Sequence, residues 1–323
     1  MYTSDQLLNQ FNDHLSTVSF DRQPKGLYDP INYVLSLGGK RIRPVLMMLA
    51  HHLYKDELSA VYNTAVGIEI YHNYTLLHDD LMDRSDKRRG QPTVHKVWDD
   101  NTAILSGDAM LVLAYQFITE CPSMYLSKVA EVFNATALEI CEGQQFDVDF
   151  EHRDDVTDIE YLEMIRLKTA VLLAAALKIG AILGGASPKD ADLLYRFGIQ
   201  IGLAFQLQDD LLDVYGVTEV FGKNIGGDIL CNKKTFMLIK ALELAKGELR
   251  TDLIHWLNTD NSPDEKIAGV TAIYDRLGIR TICEKKMDEY YNHAMALLEK
   301  VDVCDSRKEE LKKMVHALMF RNV

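Results

Sequence analysis

Asp79-Asp80-Leu81-Met82-Asp83 and Asp209-Asp210-Leu211-Leu212-Asp213 are near copies of each other, each set against an apolar run, Tyr74 to Leu77 and Ile201 to Leu207. In each copy the first and last aspartates are four apart, so on a helix they share one stripe within about 40°. Like charges at that spacing destabilise an isolated helix. The arrangement therefore calls for a compensating cation. Hard carboxylate oxygens suit Mg²⁺, which keeps several waters and completes its shell with phosphate oxygens. Two solvated acidic faces are the bland alternative, and the repetition inside apolar runs counts against it. The rest of the chain reads as the frame that makes the two copies face each other.

Composition supports such a frame. At 323 residues, with 47% hydrophobic and 26% charged residues and only 7 prolines, the chain has the profile of a globular protein with a sizeable core. A formal net charge of −13 argues against nucleic-acid binding, which needs a basic footprint. A phosphate partner must then meet local cations, found at Lys40-Arg41-Ile42-Arg43, Lys87-Arg88-Arg89 and Lys233-Lys234. The five cysteines are odd in number and lack CxxC spacing, which fits reduced thiols in a cytoplasmic protein. The N-terminus lacks the basic and then apolar profile of a signal peptide. The most apolar stretch, Ala170 to Ala186, is broken by Lys178, Gly180, Gly184 and Gly185 and reads as a core helix with no transmembrane span.

Helical periodicity begins with Leu7, Leu8, Phe11, Leu15 and Val18 and recurs almost to the C-terminus. Ser187-Pro188-Lys189-Asp190 and Ser262-Pro263-Asp264-Glu265 offer N-caps followed by proline, and Thr157-x-x-Glu160 is a capping box. About a dozen helices with short loops form a single domain over residues 1–323. Apolar helices are expected over Val45 to Tyr54 and Leu58 to Met82.

Several segments gather chemistry around the acidic copies. Gly38-Gly39 permits a tight turn, and Lys40, Arg41 and Arg43 give it anion affinity. His72 lies seven residues before Asp79, on nearly the same face, where a satisfied core histidine and a site group are both consistent readings. Arg84 to Thr93 is a basic loop directly after the first acidic copy, and its guanidiniums suit a diphosphate. Gly107-Asp108 and Gly143 to Asp147 punctuate two helices, where the glycines allow close packing and the aspartates orient basic residues. Lys168, with Thr169 beside it, sits in an apolar context that demands a partner. Gln206 precedes Asp209 by about one turn, and Phe221 to Asp228 forms a Gly-rich loop leading to Lys233-Lys234-Thr235.

Taken together, GGKRIRP at 38–44, DDLMD at 79–83, RRGQPT at 88–93, KT at 168–169, FQLQDDLLD at 205–213, GKNIGGD at 222–228 and KKT at 233–235 resemble the trans-isoprenyl diphosphate synthases of farnesyl and geranylgeranyl type. The resemblance implies an all-α fold, an orthogonal helical bundle around a deep central cavity, assembled as a homodimer. It implies Asp79, Asp83 and Asp209 as Mg²⁺ ligands, assisted by Asp80, Asp210 and Asp213, with three ions when substrate is bound. Arg88, Lys168 and Lys223, with Lys233 nearby, would clasp an allylic diphosphate. Lys40, Arg43, His72 and Arg89, with Arg41 lining the pocket, would hold isopentenyl diphosphate. Thr169 and Gln206 would flank the reacting carbon. In that family, residues four, five and eight positions before the first motif limit product length. Here they are Thr75, Tyr74 and Tyr71, and the motif carries no insertion, a pattern that favours a C20 product over C15.

Three rivals are weaker on the sequence. A terpene cyclase or head-to-head synthase needs no second diphosphate pocket. A silent regulatory subunit is expected to have lost a motif, and both are intact. A helical scaffold leaves the paired carboxylates unexplained.

Overall fold

The computed structural model describes residues 2–216, 225–259 and 262–320. Helices dominate: α1 (Ser4–Thr17), α2 (Lys25–Ser36), α3 (Ile42–His52), α4 (Tyr62–Met82), α5 (Val94–Val97), α6 (Asp100–Thr119), α7 (Ser123–Glu151), α8 (Asp158–Ile165), α9 (Val171–Gly184), α10 (Pro188–Tyr215), α11 (Gly227–Leu230), α12 (Phe236–Leu244), α13 (Glu248–Leu257), α14 (Pro263–Leu277), α15 (Ile279–Leu298) and α16 (Asp305–Met319). A π-helical turn, Arg166–Ala170, joins α8 to α9. The only β structure among the described residues is an antiparallel hairpin, β1 (Lys87–Arg88) with β2 (Gln91–Pro92). Arg89 and Gly90 between them both have positive φ, the geometry of a two-residue hairpin turn.

Local signals account for several ends. Thr157 and Glu160 make the expected capping box at α8, and Thr3 with Gln6 makes another at α1. Ser187 Oγ accepts the Asp190 N–H at 3.1 Å, whereas Ser262 makes no side-chain cap and Pro263 alone marks the start of α14. Two boundaries differ from the periodicity. Helix α3 restarts at Ile42, three residues before Val45, because Pro44 lies in the first turn, where its missing N–H is harmless. Helix α4 begins at Tyr62 rather than Leu58, the intervening residues forming a turn.

The chain divides into two compact units. The first comprises Met1–Asn134, Ala175–Tyr195 and Lys300–Met314. Within it α4 packs on α6, α3, α1 and α2, and the run Thr64–Tyr71 is buried on every side. A helix so enclosed needs no amphipathic pattern, which is why its polar members Glu69 and Asn73 stand out. The second unit comprises Ala135–Ala174, Arg196–Glu299 and Val315–Val323. There α8 meets the π turn and α12, α12 packs on α14 and α15, and Ala170–Ala174 and Leu207–Leu212 contribute buried apolar residues.

Two helical stretches, Asp100–Thr119 and Asp158–Gly184, are long and apolar enough by length and composition to cross a membrane. The latter's most apolar window is 72% buried, as expected of a core helix. The former is 39% buried and packs one face on α4, α2 and α5 while exposing Ile104, Leu105 and Val112.

Candidate active site

The first acidic motif closes α4. The Asp83 N–H donates to the Asp79 carbonyl at 2.9 Å, so backbone geometry fixes these carboxylates one turn apart. Both are accessible to some degree, Asp79 at its 18% exposed side chain and Asp83 in the open. Asp80 is buried. Its carboxylate accepts from Arg88 Nε at 3.0 and 3.1 Å and from Arg88 Nη2 at 2.6 Å, while Nη2 lies 3.5 Å from Asp79. Burial pushes the Asp80 carboxyl above its usual range despite that guanidinium. The hairpin carrying Arg88 is tied down by Thr93, whose hydroxyl donates to the Ser85 carbonyl at 2.7 Å.

The Gly38-Gly39 turn has the predicted backbone. Gly38, Gly39 and Arg41 all have positive φ, and a Cβ on Gly39 would sit 2.9 Å from the Arg89 guanidinium. Arg89 Nη1 donates to the Gly38 carbonyl and lies 3.5 Å from Asn73 Oδ1. Lys40 is exposed. Arg43 Nη1 and His72 Nε2 are 3.1 Å apart, so His72 accepts there. Burial, then Arg43, Arg89, Arg88 and Arg41, holds the imidazole well below its usual range and therefore neutral. Arg41 differs from its neighbours. It is buried, with Nη1 2.5 Å from Glu69 Oε1 and Nη2 donating to the Leu35 carbonyl at 2.9 Å.

On α4 the three product-length candidates occupy different settings. Tyr71 is 1% exposed and meets Phe133 edge-on with ring centroids 5.0 Å apart. Tyr74 is partly exposed, tilted against Tyr71 at 5.4 Å and edge-on to His78 at 4.9 Å. Thr75 donates its hydroxyl to the His72 carbonyl at 2.8 Å.

In the second unit the acidic motif lines a cavity of about 180 Å³. Asp209, Asp210, Asp213, Asp228, Asp147, Tyr161, Lys168, Thr169, Gln206 and Lys233 surround it. The π turn carries Lys168 and Thr169 out of α-helical register, a common device at functional sites. Gly143 makes room for it, since a Cβ there would stand 2.4 Å from the Lys168 backbone nitrogen. Lys168 Nζ lies 2.6 Å and Lys233 Nζ 3.7 Å from Asp147 Oδ2. Against the upward push of burial, Lys233 and Lys168 hold Asp147 below the usual carboxylate range. The Thr169 hydroxyl donates to Gln206 Oε1 at 3.1 Å, and Gln206 Nε2 donates to Asp210 Oδ1 at 3.0 Å. Tyr161 Oη donates to Asp210 Oδ2. Burial and the nearby Asp228 carboxylate push Asp210 up to about 7. Asp213 accepts the Asp228 N–H at 3.0 Å. Lys223 lies outside the described residues.

Sequence reasoning passed over four of these groups. Glu69 was detectable as a charge inside the apolar run Ala65–Ile70. Asp147 reads in the sequence as a residue that orients cations, outside the site itself. Asn73 and Tyr161 carry no local signal. Tyr161 meets Asp210 49 positions away, and Asn73 meets Glu69 one turn back on α4 and Arg89 on the hairpin.

Hard carboxylates stand beside cations on a helical frame, a donor set whose chemistry suits divalent cations and phosphate oxygens. A polyprenyl synthetase sequence profile matches residues 24–274. A geranylgeranyl diphosphate synthase of Methanosarcina mazei is 45% identical over 223 residues, covering 68% of this chain and 69% of that one. A crystal structure of a geranylgeranyl pyrophosphate synthase superposes with a TM-score of 0.94 at 42% identity, covering both chains completely. The Corynebacterium glutamicum geranylgeranyl pyrophosphate synthase, solved with isoprenyl diphosphate and magnesium, gives a TM-score of 0.85 at 28% identity over 99% of this chain and 97% of that one. The chain belongs to the polyprenyl synthetase family. It has the all-α isoprenoid synthase fold and is a short-chain trans-prenyltransferase.

Proposed function

We propose that this enzyme condenses isopentenyl diphosphate with dimethylallyl, geranyl and farnesyl diphosphates, one unit per cycle, and releases mainly C20 product with C15 as the lesser one. The observation that carries this reading is the second-unit cavity, where Asp209, Lys168, Thr169 and Gln206 converge without a nucleophile–base pair. Mg²⁺ is assigned to Asp79, Asp83 and Asp209, with Asp80, Asp210 and Asp213 assisting. The donor set fits. Asp209, Asp210 and Asp213 line the second-unit cavity with hard carboxylate oxygens, and such an ion takes its remaining ligands from water and diphosphate. The chemistry Mg²⁺ would supply when held there is neutralisation of charge on the departing diphosphate.

The chain's own groups do the rest. Arg88, Lys168, Lys223 and Lys233 hold the allylic diphosphate, and Lys40, Arg43, His72 and Arg89 hold that of isopentenyl diphosphate. A neutral His72 accepts from Arg43 and so aims its guanidinium. As the allylic C1–O bond breaks, the Thr169 and Gln206 oxygens and the Lys168 carbonyl steady the carbocation. The double bond of isopentenyl diphosphate attacks C1, and a proton passes to the released diphosphate. Apolar walls keep water from the cation.

The reading extends to a single synthase domain over residues 1–323 that works as a cytoplasmic homodimer. Ile104, Leu105 and Val112 leave an apolar face on α6, and Cys141, Cys231 and Cys304 are exposed free thiols suited to a reducing compartment. Light scattering tests the dimer. The decisive assay incubates purified protein with Mg²⁺, isopentenyl diphosphate and dimethylallyl diphosphate. The expected product is geranylgeranyl diphosphate, and failure to elongate any allylic primer overturns the reading.

A further inference from the structure

Glu69 is a carboxylate at 1% exposure within the Thr64–Tyr71 run of α4 that is buried on every side, a position that is costly unless the charge is paired. Its partner Arg41 is 6% exposed and stands at the left-handed residue that launches α3. Through Glu69 at 2.5 Å and the Leu35 carbonyl at 2.9 Å, this one guanidinium ties the end of α2 and the Gly-Gly turn to α4. The charge of Arg41 is thereby neutralised inside the protein. Asn73, one turn along α4 and also 1% exposed, donates from Nδ2 to the Glu69 carbonyl at 2.8 Å and to Glu69 Oε1 at 3.1 Å. Its Oδ1 faces Arg89 of the hairpin at 3.5 Å, and Arg89 reaches the Gly38 carbonyl. Two uncharged or neutralised contacts on α4 thus register both basic segments, the turn through Arg41 and the hairpin through Arg89.

We propose that Glu69 and Asn73 are positioning residues for the diphosphate of isopentenyl diphosphate, acting through Arg41 and Arg89. The inference deepens the proposed function and rests on its assignment of Lys40, Arg43 and Arg89 to that diphosphate. In this arrangement Arg41 does not bind substrate. It holds the turn so that Lys40 and Arg43 present their donors at fixed separation. Loss of the clamp misplaces those donors without removing any charge they carry.

The test measures KM for each substrate and calorimetric binding of isopentenyl diphosphate alone, for E69Q, N73A, the paired replacement R41M/E69M, and the controls K40A and R43A. E69Q is expected to raise KM and Kd for isopentenyl diphosphate between about ten- and a hundredfold, the scale of a small misplacement, with allylic KM within about twofold of wild type. N73A should move the same constants in the same direction. R41M/E69M exchanges a buried ion pair for apolar side chains, so its thermal midpoint should recover relative to E69Q while its KM for isopentenyl diphosphate stays raised. A merely structural clamp would instead lower the midpoint and the active fraction and leave both KM values unmoved; that result overturns the proposal. If K40A and R43A weaken isopentenyl diphosphate binding while folded E69Q, N73A and R41M/E69M do not, positioning fails and the pocket assignment survives. If K40A and R43A also leave binding unchanged, the pocket assignment fails and the proposal falls with it.

Discussion

Tyr71→Ala should lengthen the product, and the structure sets how far. By helical rise the residue lies about 12 Å along α4 from Asp79, whereas Tyr74 lies about 7.5 Å away. Its ring is enclosed, at 1% exposure, between Phe133 at 5.0 Å and Tyr74 at 5.4 Å, and Phe133 is braced in turn by Tyr115 at 4.9 Å. Truncating a buried aromatic of this kind costs about 3–5 kcal/mol. At roughly 2 °C per kcal/mol for a chain of this size, the melting midpoint should fall by about 6–10 °C. The fold should survive, because domains carry about 5–15 kcal/mol of stability. Phe133 packs edge-on against Tyr71 and keeps its ring in the single variant, which should therefore add one isoprene unit, and Y71A/F133A should add more. Tyr71→Phe keeps the ring and should keep the C20 pattern. The assay separates dephosphorylated products by chain length at matched active-site concentration, with the midpoint recorded for each variant. A folded Tyr71→Ala enzyme whose product distribution matches wild type would refute the reasoning, as would a wild type that makes C30 or longer.

Asp79→Ala and Asp209→Ala should each lower turnover by about a hundredfold or more in Mg²⁺-replenished assays with the helical signal intact; near wild-type rates in either would sink the metal assignment. Lys40→Ala or Arg43→Ala should chiefly raise KM for isopentenyl diphosphate, and Lys168→Ala that for the allylic substrate, a split that disappears if there are no distinct pockets. Asp147→Asn leaves Lys168 and Lys233 without their shared carboxylate, and should change allylic KM while sparing that for isopentenyl diphosphate in paired titrations. His51 offers a pH test away from the site. Both its ring nitrogens are buried without partners, and burial, then Lys55, lowers it to about 4. Between pH 6.5 and 4 the unfolded chain therefore binds the proton and the folded one does not, so stability falls as pH falls through that window, by about 3 kcal/mol at its end. An apolar replacement, His51→Leu, should flatten the acid limb of a urea-denaturation series; an unchanged limb would show that His51 does not drive it.

The sequence by itself determined the helical class and the family. Period-3.6 apolar spacing, the Thr157 capping box and the proline at 188 act within a few residues, so local physics suffices to read them. The paired aspartate motifs are legible for the same reason, since residues four apart share a helix face wherever the helix lies. The cations flanking those motifs could be recognised by type, but what each one does depends on neighbours distant in sequence. Only the tertiary structure shows that Arg41 is spent on Glu69, 28 residues away, and that Arg88 is held by buried Asp80. It also joins Tyr161 to Asp210 across 49 positions and Lys168 to Asp147 across 21. A buried charge announces that it needs a partner, because leaving it unpaired costs too much. Which partner it finds is decided by packing, which brings together side chains that the one-dimensional pattern leaves equivalent.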